Sequence, residues 1–132
     1  MAGTRILVID DDRSFIRHMQ TALRGLGEVR ATTCGVDGLR TVDYWEPDVV
    51  MLDLLLHDVD GFTLLERLTG PDRRHRPAVL CLTDGLGAGT RHIRGPYWPV
   101  GTVERTAPAH QLRRVVLHAA STCGRQLSAA TA

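Results

Sequence analysis

The chain alternates short, wholly apolar runs with stretches in which apolar residues recur every three or four positions. Arg5-Ile6-Leu7-Val8-Ile9 is the first apolar run, of the kind a strand needs when both its faces are buried. It stops on three consecutive acids, Asp10, Asp11 and Asp12. Phe15, Ile16, Met19, Leu23 and Leu26 then follow at helical spacing, which predicts a helix with one apolar stripe, stopped by Gly25 and Gly27. Val29 to Thr32 is a further strand candidate. Val36, Leu39, Val42 and Trp45 mark a second helix over Gly35 to Trp45, closed by Pro47.

The alternation continues. Asp48-Val49-Val50-Met51-Leu52 is another buried strand and ends on Asp53; Asp60-Gly61 then opens a helix carrying Phe62, Leu64, Leu65 and Leu68. Gly70-Pro71 and the charged segment from Asp72 to Arg76 break the chain before Ala78-Val79-Leu80-Cys81-Leu82, a strand ending on Thr83. Glycine and proline loosen residues 84 to 101, so any helix there is short. A last strand is expected from Gly101 to Glu104. A last helix follows from Pro108 through Leu112, Val115, Val116 and Ala119, and residues 121–132 read as a small, polar tail or linker after a domain spanning 1–120.

Five strands alternating with four or five helices predict an α/β fold with a parallel sheet and helices on both faces. In such sheets ligands sit at the carboxyl ends of the strands, near the reversal of strand order. Those are the places where this chain puts Asp10, Asp11, Asp53 and Thr83. An isolated acid after a strand is ordinarily a loop or cap residue, and Asp12 fits that part at the start of the first helix. The joint pattern is different. Two carboxylates ~4 Å apart repel by roughly 4 kcal/mol at an effective dielectric of 20. Three gathered in one pocket must take up protons or bind a cation, and hard oxygen ligands favour Mg²⁺.

Composition narrows the setting. The 132 residues are 43% hydrophobic and 23% charged, enough for one domain with a real core. Sixteen basic against fifteen acidic residues gives a net charge of +1, and every basic residue is arginine. Direct nucleic-acid binding is not expected from so balanced a surface, and the Arg73-Arg74-His75-Arg76 cluster reads as a solvated loop. No apolar run approaches the ~20 residues of a membrane span and no signal-peptide core is present, so a cytoplasmic location is expected. Cys34, Cys81 and Cys123 lack disulfide or zinc spacing, and Cys81 reads as a core residue. Tyr97-Trp98 is either a core plug or a docking patch.

Ile6 to Asp12, Val49 to Asp53, Asp60-Gly61 and Val79 to Thr83, in that order and spacing, resemble the receiver domain of two-component response regulators. The resemblance covers residues 5 to about 120. It implies the flavodoxin-like fold, a five-stranded parallel sheet with helices on both faces. It implies that Asp53 accepts a phosphoryl group from the phosphohistidine of a histidine kinase or phosphotransfer protein. Asp10 and Asp11 match the acidic pair that holds Mg²⁺, with Asp11, Asp53 and the Leu55 carbonyl as ligands. Thr83 matches the hydroxyl that turns toward the phosphoryl group, and Arg105 stands where the family has a phosphate-binding lysine. An output domain or transcription-related partner, and dimerisation through the last strand and helix, are family habits that the resemblance also suggests.

The departures lie on one side. Arg105 replaces the lysine, Thr106 the proline after it, Thr102 the aromatic that swings with the hydroxyl, and His57 a proline; Asp84 follows Thr83 where a small residue is usual. Arginine is larger and planar, so the exchange is not conservative at a tight phosphate site. Two readings follow: a receiver phosphorylated on Asp53, or an atypical pseudo-receiver acting as a phosphorylation-independent partner- or ligand-binding module. An enzyme is not expected, because a haloacid-dehalogenase-type phosphatase needs a second aspartate where Leu55 stands. Nucleotide-binding glycine motifs are lacking, and Gly85-Leu86-Gly87 is a lone fragment.

Overall fold

The structure, a computed structural model, describes residues 3–84 and 101–131, with side chains as far as residue 121. The elements run β1 (Thr4–Ile9), α1 (Arg13–Ala22), β2 (Gly27–Thr32), α2 (Gly35–Trp45), β3 (Val49–Asp53), α3 (Gly61–Thr69), β4 (Ala78–Thr83), β5 (Gly101–Glu104) and α4 (Ala109–Thr131). All five strands pair in parallel, in the order β2-β1-β3-β4-β5. That is the flavodoxin-like order, with its reversal between β1 and β3. The expected fold class is the one observed, with four helices among the described residues.

Alternation along each strand divides the core into two layers. Ile6 and Val8 of β1, with Met51 and Leu80, face Phe15, Ile16, Met19 and Leu23 of the α1 segment and Leu112 and Val116 of α4. Leu7 and Ile9, with Val50, Leu52 and Cys81, face Val42 and Trp45 of α2 and Leu64, Leu65 and Leu68 of α3. Each such fully buried aliphatic side chain contributes about 1.5–3 kcal/mol, which is why β1 from Ile6 onward, and β3, carry no polar residue until they reach the sheet's end. Cys81 belongs to this core; burial pushes its thiol up to about 12, so it is an inert packing residue.

Two close approaches bring the helices near enough to shape the sheet's end. A Cβ on Gly61 would lie 2.3 Å from the Leu54 backbone, so only glycine lets α3 start against the loop leaving Asp53. One on Gly38 would lie 2.5 Å from Ile9 Cδ1, which fixes α2 tightly over β1.

The structure revises two expectations. Helix α4 continues to Thr131, past the expected end near Ala119. The small residues beyond it, chiefly alanine and serine with Gln126 and Leu127, contain no proline, and neither Gly124 nor the serines are enough to stop a helix already started. The Arg73–Arg76 segment is only partly a solvated loop. Arg73 is half-buried, its Nη2 donating to Asp43 Oδ1 at 2.6 Å and its Nε to the His75 carbonyl, while His75 Nε2 lies 2.6 Å from the Pro47 carbonyl. The expectations for residues 84 to 101, for Gly85-Leu86-Gly87 and for Tyr97-Trp98 fall mainly on residues 85–100, outside the described residues. No helix among the described residues is long and apolar enough to cross a membrane.

Candidate functional site

The site forms where β1 and β3 end side by side. Ile9 pairs with Leu52, so the next residues of each strand, Asp10 and Asp53, emerge together beyond the last apolar pair. One carboxylate oxygen from each of Asp10, Asp11 and Asp53 lies within 4.8 Å of the others. Asp10 is fully buried and Asp53 nearly so. Asp11 is more open, yet its Oδ2 atom is buried and makes no hydrogen bond. His57 Nε2 approaches that atom to 3.0 Å as an ion-pair contact without hydrogen-bond geometry, from a side chain that is otherwise exposed.

Backbone donors fix two of the acids. The Asp12 N–H donates to Asp10 Oδ1 and the Leu55 N–H to Asp53 Oδ1, each at 2.9 Å. These are Asx-type turns, available because aspartate at a strand end can satisfy the amide two residues on. Asp12 caps α1 as expected, accepting from the Ser14 and Phe15 amides at 2.9 and 3.3 Å. Burial pushes the Asp10 carboxyl above the usual carboxylate range, opposed by the Asp12 amide and the Arg105 hydrogen bond and reinforced by Asp53.

Arg105, one residue past β5, reaches into this cluster. Its amide donates to the Thr83 carbonyl at 2.8 Å, which ties the end of β5 to the end of β4. Its guanidinium stacks on Phe15, 4.2 Å from the ring centroid, and Nη1 donates to Asp10 Oδ2. Asp53 Oδ2 lies 3.8 Å from Nη1, Asp12 Oδ2 3.4 Å from Nη2, and Asp84 Oδ1 4.0 Å from Nε. The first partner of Arg105 is thus Asp10, with Asp53 further off. Burial opposes its charge, but the Asp10 hydrogen bond and the surrounding carboxylates hold its pKa above the ordinary value.

The remaining positions are less closely engaged. Thr83 closes β4, half-buried beside the cluster, and Thr102 is exposed on β5. Leu55 contributes its amide to Asp53, and its side chain is solvent-exposed.

One organising residue escaped the sequence reading. Asp58 caps α2 from a different segment, its Oδ1 accepting from the Gly35 amide at 2.9 Å and its Oδ2 from the Val36 amide at 3.1 Å. Its pKa is lowered, chiefly by the Gly35 amide. Cys34 occupies the N-cap position without a side-chain bond, and that missing cap was the local signal that a remote acceptor is needed.

A donor set of three carboxylates, one with a buried oxygen lacking a hydrogen bond, fits a small divalent cation with oxygen ligands. The same pocket offers a carboxylate, Asp53, whose Oδ2 accepts no backbone hydrogen bond from the described residues and lies 3.8 Å from a guanidinium nitrogen.

The family model described as "Response regulator receiver domain" matches residues 6–90. RpaA of Synechocystis, a DNA-binding dual master transcriptional regulator, is 39% identical over 92 residues, covering 69% of this chain and 38% of that protein. The response regulator PleD of Caulobacter vibrioides is 35% identical over 88 residues, 64% of this chain and 19% of PleD. The chain therefore spans about two fifths or less of these relatives. Among solved structures, NtrX from Brucella abortus, crystallised with ADP, superposes with a TM-score of 0.84 at 21% identity over 98% of this chain and 30% of that one. A CheY-like receiver domain protein from Methanospirillum hungatei gives 0.79 at 17% identity, over 95% and 99% of the two chains. At such identities the superpositions speak to the fold, while the sequence matches speak to kinship. The chain belongs to the response regulator receiver domain family of two-component signalling.

Proposed function

We propose that Asp53 is the phosphoryl acceptor of this receiver and that Asp10, Asp11, Asp53 and the Leu55 carbonyl hold a Mg²⁺ ion beside it. The observation that carries this reading is the convergence of three carboxylates at the β1/β3 reversal, with no backbone donor on Asp53 Oδ2 among the described residues. An Asp53 oxygen forms the new P–O bond as the P–N bond of a phosphohistidine breaks; the electron pair stays on the imidazole nitrogen and the ring takes up a proton. A cation held by these residues would supply charge to neutralise phosphoryl oxygens. The Leu55 amide orients the Asp53 carboxylate, and the Arg105 guanidinium, 3.8 Å from Asp53 Oδ2, supplies positive charge for the dianion that results. Thr83, at the end of the neighbouring strand, offers a hydroxyl to the same group, and new charge at Asp53 then biases the β4–β5 side of the domain.

The phosphoryl donor is a histidine kinase or phosphotransfer protein. The consequence is a change of partner contacts rather than catalysis by this domain. Several matched relatives are transcriptional regulators, one is named a protein-glutamate methylesterase/protein-glutamine glutaminase, and all are longer than this chain. Residues 121–132 serve, on this reading, as the start of a linker, helical as far as Thr131, leading to an output domain or transcription-related partner. Pairing of two copies through β5 and α4, and a cytoplasmic location, complete the proposal.

The test is intact-protein mass spectrometry after acetyl phosphate treatment, with and without Mg²⁺. One added phosphate, dependent on Mg²⁺ and lost in Asp53→Asn, is the expected result. Undiminished labelling of Asp53→Asn would remove Asp53 from the role.

A further inference from the structure

Arg105 is placed less like a phosphate ligand in waiting than like a cation already in the pocket. Its side chain is four-fifths buried, and four carboxylates (Asp10, Asp12, Asp53 and Asp84) lie within 4.0 Å of its nitrogens. The tightest contact is to Asp10, the fully buried member of the cluster, and the flat guanidinium lies over the Phe15 ring. A planar, weakly hydrated cation with an aromatic ring against its face and a buried carboxylate hydrogen-bonded at its edge is held far more firmly than an ammonium on a flexible stem.

We propose that Arg105 is a built-in counter-cation of the acid pocket, which competes with a divalent metal ion for Asp10 and thereby raises the metal concentration this receiver requires. The inference rests on the reading that the pocket takes such an ion. Without Arg105, three clustered carboxylates repel one another and a divalent cation relieves all of that repulsion at once. With Arg105 in place, part of the repulsion is already neutralised. The incoming ion must share Asp10 with a positive charge a few ångströms away. Both effects lower metal affinity in the same direction. The guanidinium, pinned by Phe15, can withdraw only by giving up its stack.

Calorimetric titration of Mg²⁺ into the full chain tests this at low ionic strength, comparing wild type with Arg105→Met, Arg105→Lys and, as a control for overall charge, Arg40→Met. Arg40 is an exposed residue of α2. The expected order of affinity is Arg105→Met tightest, by at least about tenfold over wild type, then Arg105→Lys, with Arg40→Met unchanged. Methionine keeps the apolar bulk against Phe15; if that variant does not fold, the lysine variant carries the test alone, with tighter binding than wild type expected. Equal or weaker Mg²⁺ binding by the folded variants overturns the proposal, and so does an absence of binding in all of them. Labelling of Asp53 by acetyl phosphate is scored separately through Asp53→Asn, so failure of the competition and failure of the acceptor assignment leave different records.

Discussion

Where the strands of the sheet begin, acids and arginines are each tied to a close partner; where the strands end, several aspartates crowd one arginine among the described residues. At the starting end, Asp48 Oδ2 accepts from the Arg5 amide at 2.8 Å, the Arg5 side chain donates to the Trp45 carbonyl at 2.6 Å, and Arg30 covers the Trp45 ring at 4.5 Å. Nearby, Arg73 serves Asp43 at 2.6 Å. At the other end, Asp10, Asp12, Asp53 and Asp84 lie around the Arg105 guanidinium, and the imidazole of His57 stands beside Asp11; these are the basic groups at the cluster among the described residues. The first arrangement is a set of satisfied internal contacts and works as structure. The second holds an excess of negative charge in a partly dry pocket, a state that persists only because something else is meant to complete it.

Conservative removal of one charge at each end gives the largest contrast. Asp53→Asn is expected to lose phosphodonor labelling completely, while Asp48→Asn keeps it, because asparagine still accepts from the Arg5 amide and lies at the opposite end of β3. Intact mass after acetyl phosphate treatment measures both. Labelling lost equally in the two variants would mean the ends are not functionally distinct.

Stability should divide the other way. Asp48→Ala leaves the Arg5 amide without its charged acceptor and is expected to cost about 1.5–3 kcal/mol in urea unfolding. Asp53→Asn keeps an acceptor for the Leu55 amide and relieves repulsion with Asp10 and Asp11, partly offset by a lost attraction to Arg105. In metal-free buffer at low salt it should stabilise the protein by roughly 1 kcal/mol. A destabilising Asp53→Asn would mean that the acid pocket is a structural network like the other end.

The two ends also differ in how much of them was legible in the sequence. From Ile6 onward in β1, and through β3 and β4, the strands are continuous apolar runs because both faces are covered, and the polar residue that ends each run marks its close; that is why Asp10, Asp11, Asp53 and Thr83 could be named at once. Edge strand β2 begins two residues earlier than its apolar pattern suggested, since exposed Glu28 and Arg30 carry no burial signal. The direction of Arg105 was not legible at all. Whether a guanidinium after β5 meets Asp10, Asp53 or solvent depends on Phe15 of α1, ninety residues away in sequence, offering a face to stack on. The grip of Arg73 and His75 on the starting end of the sheet was hidden for the same reason, because their partners, Asp43 and Pro47, belong to another segment.

Asp58 sharpens the comparison at its smallest scale, since it stands only five residues past Asp53 and yet behaves like the matched acids of the other end. Both of its oxygens are engaged by the first amides of α2, and its pKa is lowered by them. A depressed carboxylate stabilises the fold above its unfolded value, near 3.9, and that contribution fades as pH falls through the lower folded value. Asp10 has the opposite sign. Its raised pKa means the folded state takes up a proton before the unfolded chain does, so this group favours folding increasingly as the solution turns acid. Asp58→Ala should therefore cost about 1 kcal/mol at pH 7, a typical helix-cap loss, and the gap from wild type should close only below about pH 4. Denaturant melts at pH 7, 5 and 3 measure it. A gap that instead narrows between pH 7 and 5 would assign Asp58 to the same strained, proton-hungry population as Asp10, and the boundary between pocket and scaffold would have to be redrawn one loop further out.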